Sequence, residues 1–133
     1  MQPLREVQFY RDEAGHCEVT DAIRALKDEK LQTKIRRRLL ILATWKWDAL
    51  TASETVIALK GGDDIYELKL AGSGRWGIRL FFAKSICLGS ELLLVTELDT
   101  RRALNRKGRY NVAIARATRL RAEWESRNCK DDR

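Results

Sequence analysis

Ile65-Tyr66-Glu67-Leu68-Lys69-Leu70 is followed by Ala71-Gly72-Ser73-Gly74 and then by Gly77-Ile78-Arg79-Leu80-Phe81-Phe82-Ala83. Apolar and polar residues alternate in the first run, the period of a strand whose side chains point by turns to two faces. The Gly/Ser cluster is a hairpin turn and the second run is the returning strand. Tyr66, Leu68 and Leu70 share one face, as do Ile78, Leu80 and Phe82. Glu67 and Lys69 lie opposite, as do Arg79 and Phe81. If the apolar sets face the rest of the protein, Glu67, Lys69 and Arg79 emerge together on an open, concave sheet surface. A carboxylate, an ammonium and a guanidinium so placed can handle a phosphodiester. The same three residues also read as a cross-strand ion-pair ladder that keeps an exposed face solvated.

Residues 4–10 alternate as a first strand, and 12–16 form a loop turning at Gly15. Thr20 is the expected N-cap of a short helix whose apolar stripe is Val19, Ala22, Ile23 and Leu26. A second helix is expected over 30–44, with Leu31, Ile35, Leu39 and Leu42 inward and Arg36 and Arg37 pointing away. After Trp45-Lys46-Trp47 the period drops to two. Strands are expected over 55–59 and 92–98, with a turn at Gly61-Gly62-Asp63-Asp64 between the first of these and Ile65. Residues 109–127 repeat as a helix with Ala113, Ala117, Leu120 and Trp124 on one side. The class is α+β: an N-terminal strand, an α-helical hairpin, a curved antiparallel sheet with the helices packed on one side, and a C-terminal helix. Residues 1–127 form a single domain and 128–133 a short polar tail.

The composition agrees with one domain and excludes several classes. The chain has 133 residues, 44% of them hydrophobic, enough for one core. It has no apolar run of about 18 residues and no leader-like apolar segment, so a cytoplasmic location is expected. Three cysteines without a CxxC, and one histidine, His16 in a loop, argue against a zinc site. Three free thiols, no metal and no cofactor are expected. Trp45 and Trp47 are expected on one side of the hairpin's end. Trp76 is expected at the core edge or a protein interface, and Trp124 in the core.

Lys plus Arg number 26 against 19 Asp plus Glu, a net charge of +7. Residues 31–47 hold Lys34, Arg36, Arg37, Arg38 and Lys46 and no acid. Residues 99–133 hold eleven basic and five acidic side chains. Two basic segments on a small domain point to a phosphate-rich partner, or to an acidic protein.

The run Leu59-Lys60-Gly61-Gly62-Asp63-Asp64-Ile65-Tyr66-Glu67-Leu68-Lys69 resembles the L-K-G…[WY]-E-L-[RK] segment of RelE/HigB-type toxins of bacterial toxin–antitoxin pairs, particularly the phage-derived HigB-like branch. Ile78-Arg79-Leu80-Phe81-Phe82 is similar to that family's [YF]-R-[VIL]-[FL]-[YF] strand. Arg101-Arg102, after the apolar strand, stands where the family has a Lys-Lys motif. The helical hairpin and the Ala-rich last helix match in order, so the resemblance spans roughly residues 4–124. It implies a metal-independent endoribonuclease that cuts messenger RNA on the ribosome and is inhibited by a cognate antitoxin, expected to be a helix-turn-helix protein. Carried over, Arg79 is the phosphate clamp and Lys69 a second cation or base. Glu67 is a partner of Arg79 or the general base. Lys60, Arg101, Arg102, Arg106, Arg36 and Arg37 would bind RNA, Arg36 and Arg37 of the second expected helix by gripping ribosomal RNA. Two departures stand out: no proline follows Arg106-Lys107, and Phe82 replaces a tyrosine for which Tyr110 is the candidate substitute. A ParE-like gyrase inhibitor, or an inactive relative that binds nucleic acid or antitoxin, shares this layout.

Overall fold

The chain runs β1 (Glu6–Phe9), α1 (Glu18–Ala25), α2 (Glu29–Thr44), α3 (Trp47–Ala52), β2 (Val56–Ala58), β3 (Ile65–Ala71), β4 (Ile78–Cys87), β5 (Ser90–Asp99) and α4 (Arg106–Asn128). The computed structural model describes residues 2–71, 78–100 and 106–129. The five strands form one sheet in the order β1-β5-β4-β3-β2, antiparallel throughout except that β1 runs parallel to β5. This is the expected α+β layout. The turn residues after Ala71, Trp76, and Arg101 and Arg102 lie outside the described residues.

The local chemistry explains most element ends. Asp28 caps α2, its Oδ1 accepting from the Lys30 and Leu31 amides at 3.0 and 3.2 Å. The stripe expected on α2 is inward, with Ile35 and Leu42 fully buried. No basic residue of its own lies in the last turn of α2. That role passes to the N-terminal segment: Arg5 Nη1 donates to the Leu42 and Trp45 carbonyls at 2.5 and 2.8 Å. The Leu4 amide donates to the Ala43 carbonyl at 2.8 Å. A cation therefore sits at the negative end of the helix dipole.

Three expectations are corrected. The cap of α1 is Cys17, with extended backbone and its sulfur accepting from the Thr20 amide, so Thr20 lies inside the helix. Trp45 and Trp47 part company because Trp47 opens α3, a helix the alternation at 45–47 concealed. Its ring packs edge-on against Tyr66 at 5.0 Å, while Trp45 stays exposed. Cys87 and Cys129 are joined in a disulfide, so only Cys17 is free, and it is buried. The sequence separation of 42 between the bridged pair hides the contact in sequence. It forms because α4 returns over the sheet to the β4–β5 hairpin, whose turn uses Leu88 and Gly89, both at positive φ.

The largest correction concerns the sheet's second face. Tyr66, Leu68, Leu70, Leu80, Phe82, Leu93 and Val95 pack with Val19, Ile35, Leu42 and Leu50 of α1–α3, as the alternation implies. The opposite face is also covered. Ile65 and Ala83 pack on Ala117 and Ile114 of α4, and Leu92 and Leu94 on Trp124. Helices therefore lie on both sides. The run Leu92-Leu93-Leu94-Val95, apolar at every position, is the signature of a strand buried on both faces.

Candidate functional site

On the α4 face, strand register sets the side chains in rows. Lys69 of β3 stands opposite Arg79 of β4, which stands opposite Asp99 of β5. Glu67, Phe81 and Glu97 form the next row, and Ile65, Ala83 and Leu94 the one after. Two polar rows thus adjoin an apolar one. An irregularity in the β4–β5 pairing makes this possible: Phe81 pairs with Glu97 but Phe82 with Val95. The extra residue, Thr96, donates its hydroxyl to the Phe81 carbonyl at 3.2 Å. The bulge shifts the parity of β5, so Glu97 and Asp99 join the face that carries Leu92 and Leu94.

The first turns of α4 close this cluster. Arg79 Nη1 donates to the Tyr110 hydroxyl at 2.7 Å and lies 4.0 Å from Glu67 Oε2. The Tyr110 ring meets Phe81 edge-on at 5.9 Å, with the Arg79 guanidinium carbon 5.6 Å from its centroid. Arg79 is 6% exposed and Glu67 2%, whereas Lys69 is exposed. Arg116, one turn and a half along α4, pairs with Glu18 and approaches Glu97 at 3.9 Å.

Sequence reasoning placed Glu67, Lys69 and Arg79 on one face, and they are brought together there. The expectation that this face is open is overturned for Glu67 and Arg79. The apolar stripe of α4 needs a surface, and Ile65, Ala83, Leu92 and Leu94 supply it. Glu67 Oε2 is left buried and, among the described residues, without a hydrogen-bond partner. The departure at Phe82 has no bearing on this face, because Phe82 is buried on the other side, stacked on Tyr66 at 5.4 Å. Tyr66 itself donates to Asp64 Oδ1 at 2.9 Å. Burial first, and that acceptor second, push its pKa up to about 12.

The other expected residues are scattered. Arg36 and Arg37 are exposed on α2, across the sheet from Arg79. Lys60 is exposed in the loop before β3, at the end of that strand remote from Lys69, where Gly62 comes up against Ile114 of α4. Arg106 is the first residue of α4. The loop residue His16 has two partners: its Nε2 lies 2.5 Å from Asp21 Oδ2 and its Nδ1 3.8 Å from Asp12 Oδ2. These contacts tie the loop to α1. Sequence reasoning missed Glu97 and Asp99 as members of the cluster. Their i, i+2 spacing at the end of a strand was the signal, masked by the bulge.

The described residues contain no group of three or more histidine, cysteine, aspartate or glutamate side chains arranged to hold a metal, and no helix long and apolar enough to cross a membrane. Comparison with protein-family models, with curated proteins and with solved structures finds no match to this chain.

Proposed function

We propose that the chain is the toxin of a RelE/HigB-type toxin–antitoxin pair, an endoribonuclease that cuts messenger RNA on the ribosome and is held in check by a cognate antitoxin. The observation that carries this reading is the row Lys69–Arg79 with Tyr110 bonded to Arg79 and Glu67 behind it. The order of elements, a strand, helices, a mainly antiparallel sheet and a closing helix, supports it.

In RNA cleavage of this kind the 2′-oxygen attacks the adjacent phosphorus and the bond to the 5′-oxygen breaks. A base takes the 2′ proton, cations hold the charge on the phosphorane oxygens, and an acid protonates the leaving oxygen. Lys69 is the accessible cation. Arg79 holds the Tyr110 hydroxyl and balances Glu67, which lies buried behind it, so these groups set the position and charge of the surface that Lys69 presents. The cleavage site uses the α4 side of the sheet, so Arg36 and Arg37 take no part in it.

One observation favours the reading that shares the layout without the reaction, a ParE-like gyrase inhibitor or a binding relative: two of the three polar side chains on the sheet are closed off by α4. Primer extension on message in a translation reaction, beside a gyrase supercoiling assay, separates the two. Cuts in ribosome-bound message with supercoiling unaffected support the toxin nuclease. Inhibited supercoiling without cuts replaces it.

A further inference from the structure

We infer that the C-terminal end of α2, with the N-terminal segment that caps it, is the docking face for an acidic amphipathic helix of a partner protein. Leu4, Leu40 and Trp45 are 58%, 62% and 42% exposed, among the largest apolar side chains left in solvent. They gather at one place. The Leu4 amide bonds to the carbonyl of Ala43, one turn beyond Leu40, and Arg5 bonds to the carbonyl of Trp45. Leu40 points away from the core, opposite the buried stripe of Ile35 and Leu42.

The surroundings state the partner's charge. Arg36 and Arg37, exposed, lie four and three residues before Leu40 and so share its face. From Leu31 to Trp47 the chain has no acidic residue. An apolar patch rimmed by cations on a helix fits a second helix that sets leucines at i, i+3, i+4 and i+7 on the patch and carboxylates on the rim. RNA fits less well, since Trp45 is the one stacking surface in the patch and Leu4 and Leu40 offer neither a stacking surface nor a donor. Arg5, tied to α2 carbonyls and set 5.6 Å from the Trp47 ring centroid, holds the patch in shape before any partner arrives. The face lies across the sheet from Lys69, so this inference stands whether or not the chain cuts RNA.

The test is fluorescence anisotropy with the full chain and a labelled peptide of about 18 residues carrying that leucine pattern between glutamates. The peptide is expected to bind, and Leu40→Ser and Trp45→Ser each to weaken it by about tenfold or more with unchanged circular dichroism. Arg36→Gln with Arg37→Gln should weaken binding most at low salt. No binding by the wild-type chain, or affinity untouched by Leu40→Ser, overturns the inference. So does a single-stranded RNA that binds this face and is lost on Arg36→Gln with Arg37→Gln but not on Leu40→Ser. A concentration-dependent dimer abolished by Leu40→Ser would show instead that a second copy covers the patch.

Discussion

Arg79 is the residue on which the cluster depends. It is buried, and its guanidinium serves Glu67 and Tyr110 at once. Removing one partner of a buried ion pair leaves the other charge uncompensated, at a cost of about 3–5 kcal/mol. Arg79→Ala is therefore expected to lower the urea midpoint sharply, although the position reads as a surface site from alternation alone. Glu67→Gln in the Arg79→Ala background should restore part of that loss, because a neutral amide is cheaper to bury than a lone carboxylate. Additive losses in the double variant would show that the two side chains do not compensate each other. Tyr66 gives a pH prediction at the same scale. Its folded pKa, about 12, lies above the ordinary tyrosine value of 10.0. A raised folded pKa contributes stability that is whole below the unfolded value and is lost as pH climbs through the folded one. Stability should fall between about pH 10 and 12, and Tyr66→Phe should flatten that part of the profile in chemical melts. A profile unchanged by the substitution would place the loss on another group.

At the scale of elements, the bridge between Cys87 and Cys129 closes a loop of 42 residues and ties the end of α4 to the β4–β5 hairpin. Loop-closure entropy for that length corresponds to about 4 kcal/mol. Cys129→Ser is expected to reduce stability by up to that amount. Thiol titration of the unreduced wild type should find one reactive group, and only after unfolding; three groups without reductant would contradict the bridge. The elements were legible where their signals are local. The alternation in β3 and β4, the stripe on α2 and the stripe Ala113, Ala117, Leu120 and Trp124 on α4 all hold. Non-local features were not legible. The pairing of β1 with β5 joins strands from opposite ends of the chain, the bulge at Thr96 flips the parity of β5, and Trp47 enters a helix because Tyr66 offers its ring a seat.

For the whole molecule, the candidate site was half legible. Period two alone puts Glu67, Lys69 and Arg79 on one face, because that relation is set within two strands. It cannot say what lies over that face. The answer comes from α4, whose apolar stripe seeks Ile65, Ala83, Leu92 and Leu94 and brings Tyr110 onto Arg79. Only Lys69 of the three is left at the surface, so it carries the contact with a phosphate in the proposed reaction and can be changed without disturbing the core. Substitutions at such exposed positions usually alter stability by less than about 0.5 kcal/mol. The measurement that bears most directly on the proposed nuclease is primer extension on ribosome-bound message with wild-type and Lys69→Gln protein, each checked by thermal melting. The expected result is cleavage by the wild type, reduced roughly 10²–10³-fold in Lys69→Gln, the usual loss when a preorganised charge is removed, at an unchanged melting temperature. Cleavage by Lys69→Gln at the wild-type rate would contradict the account.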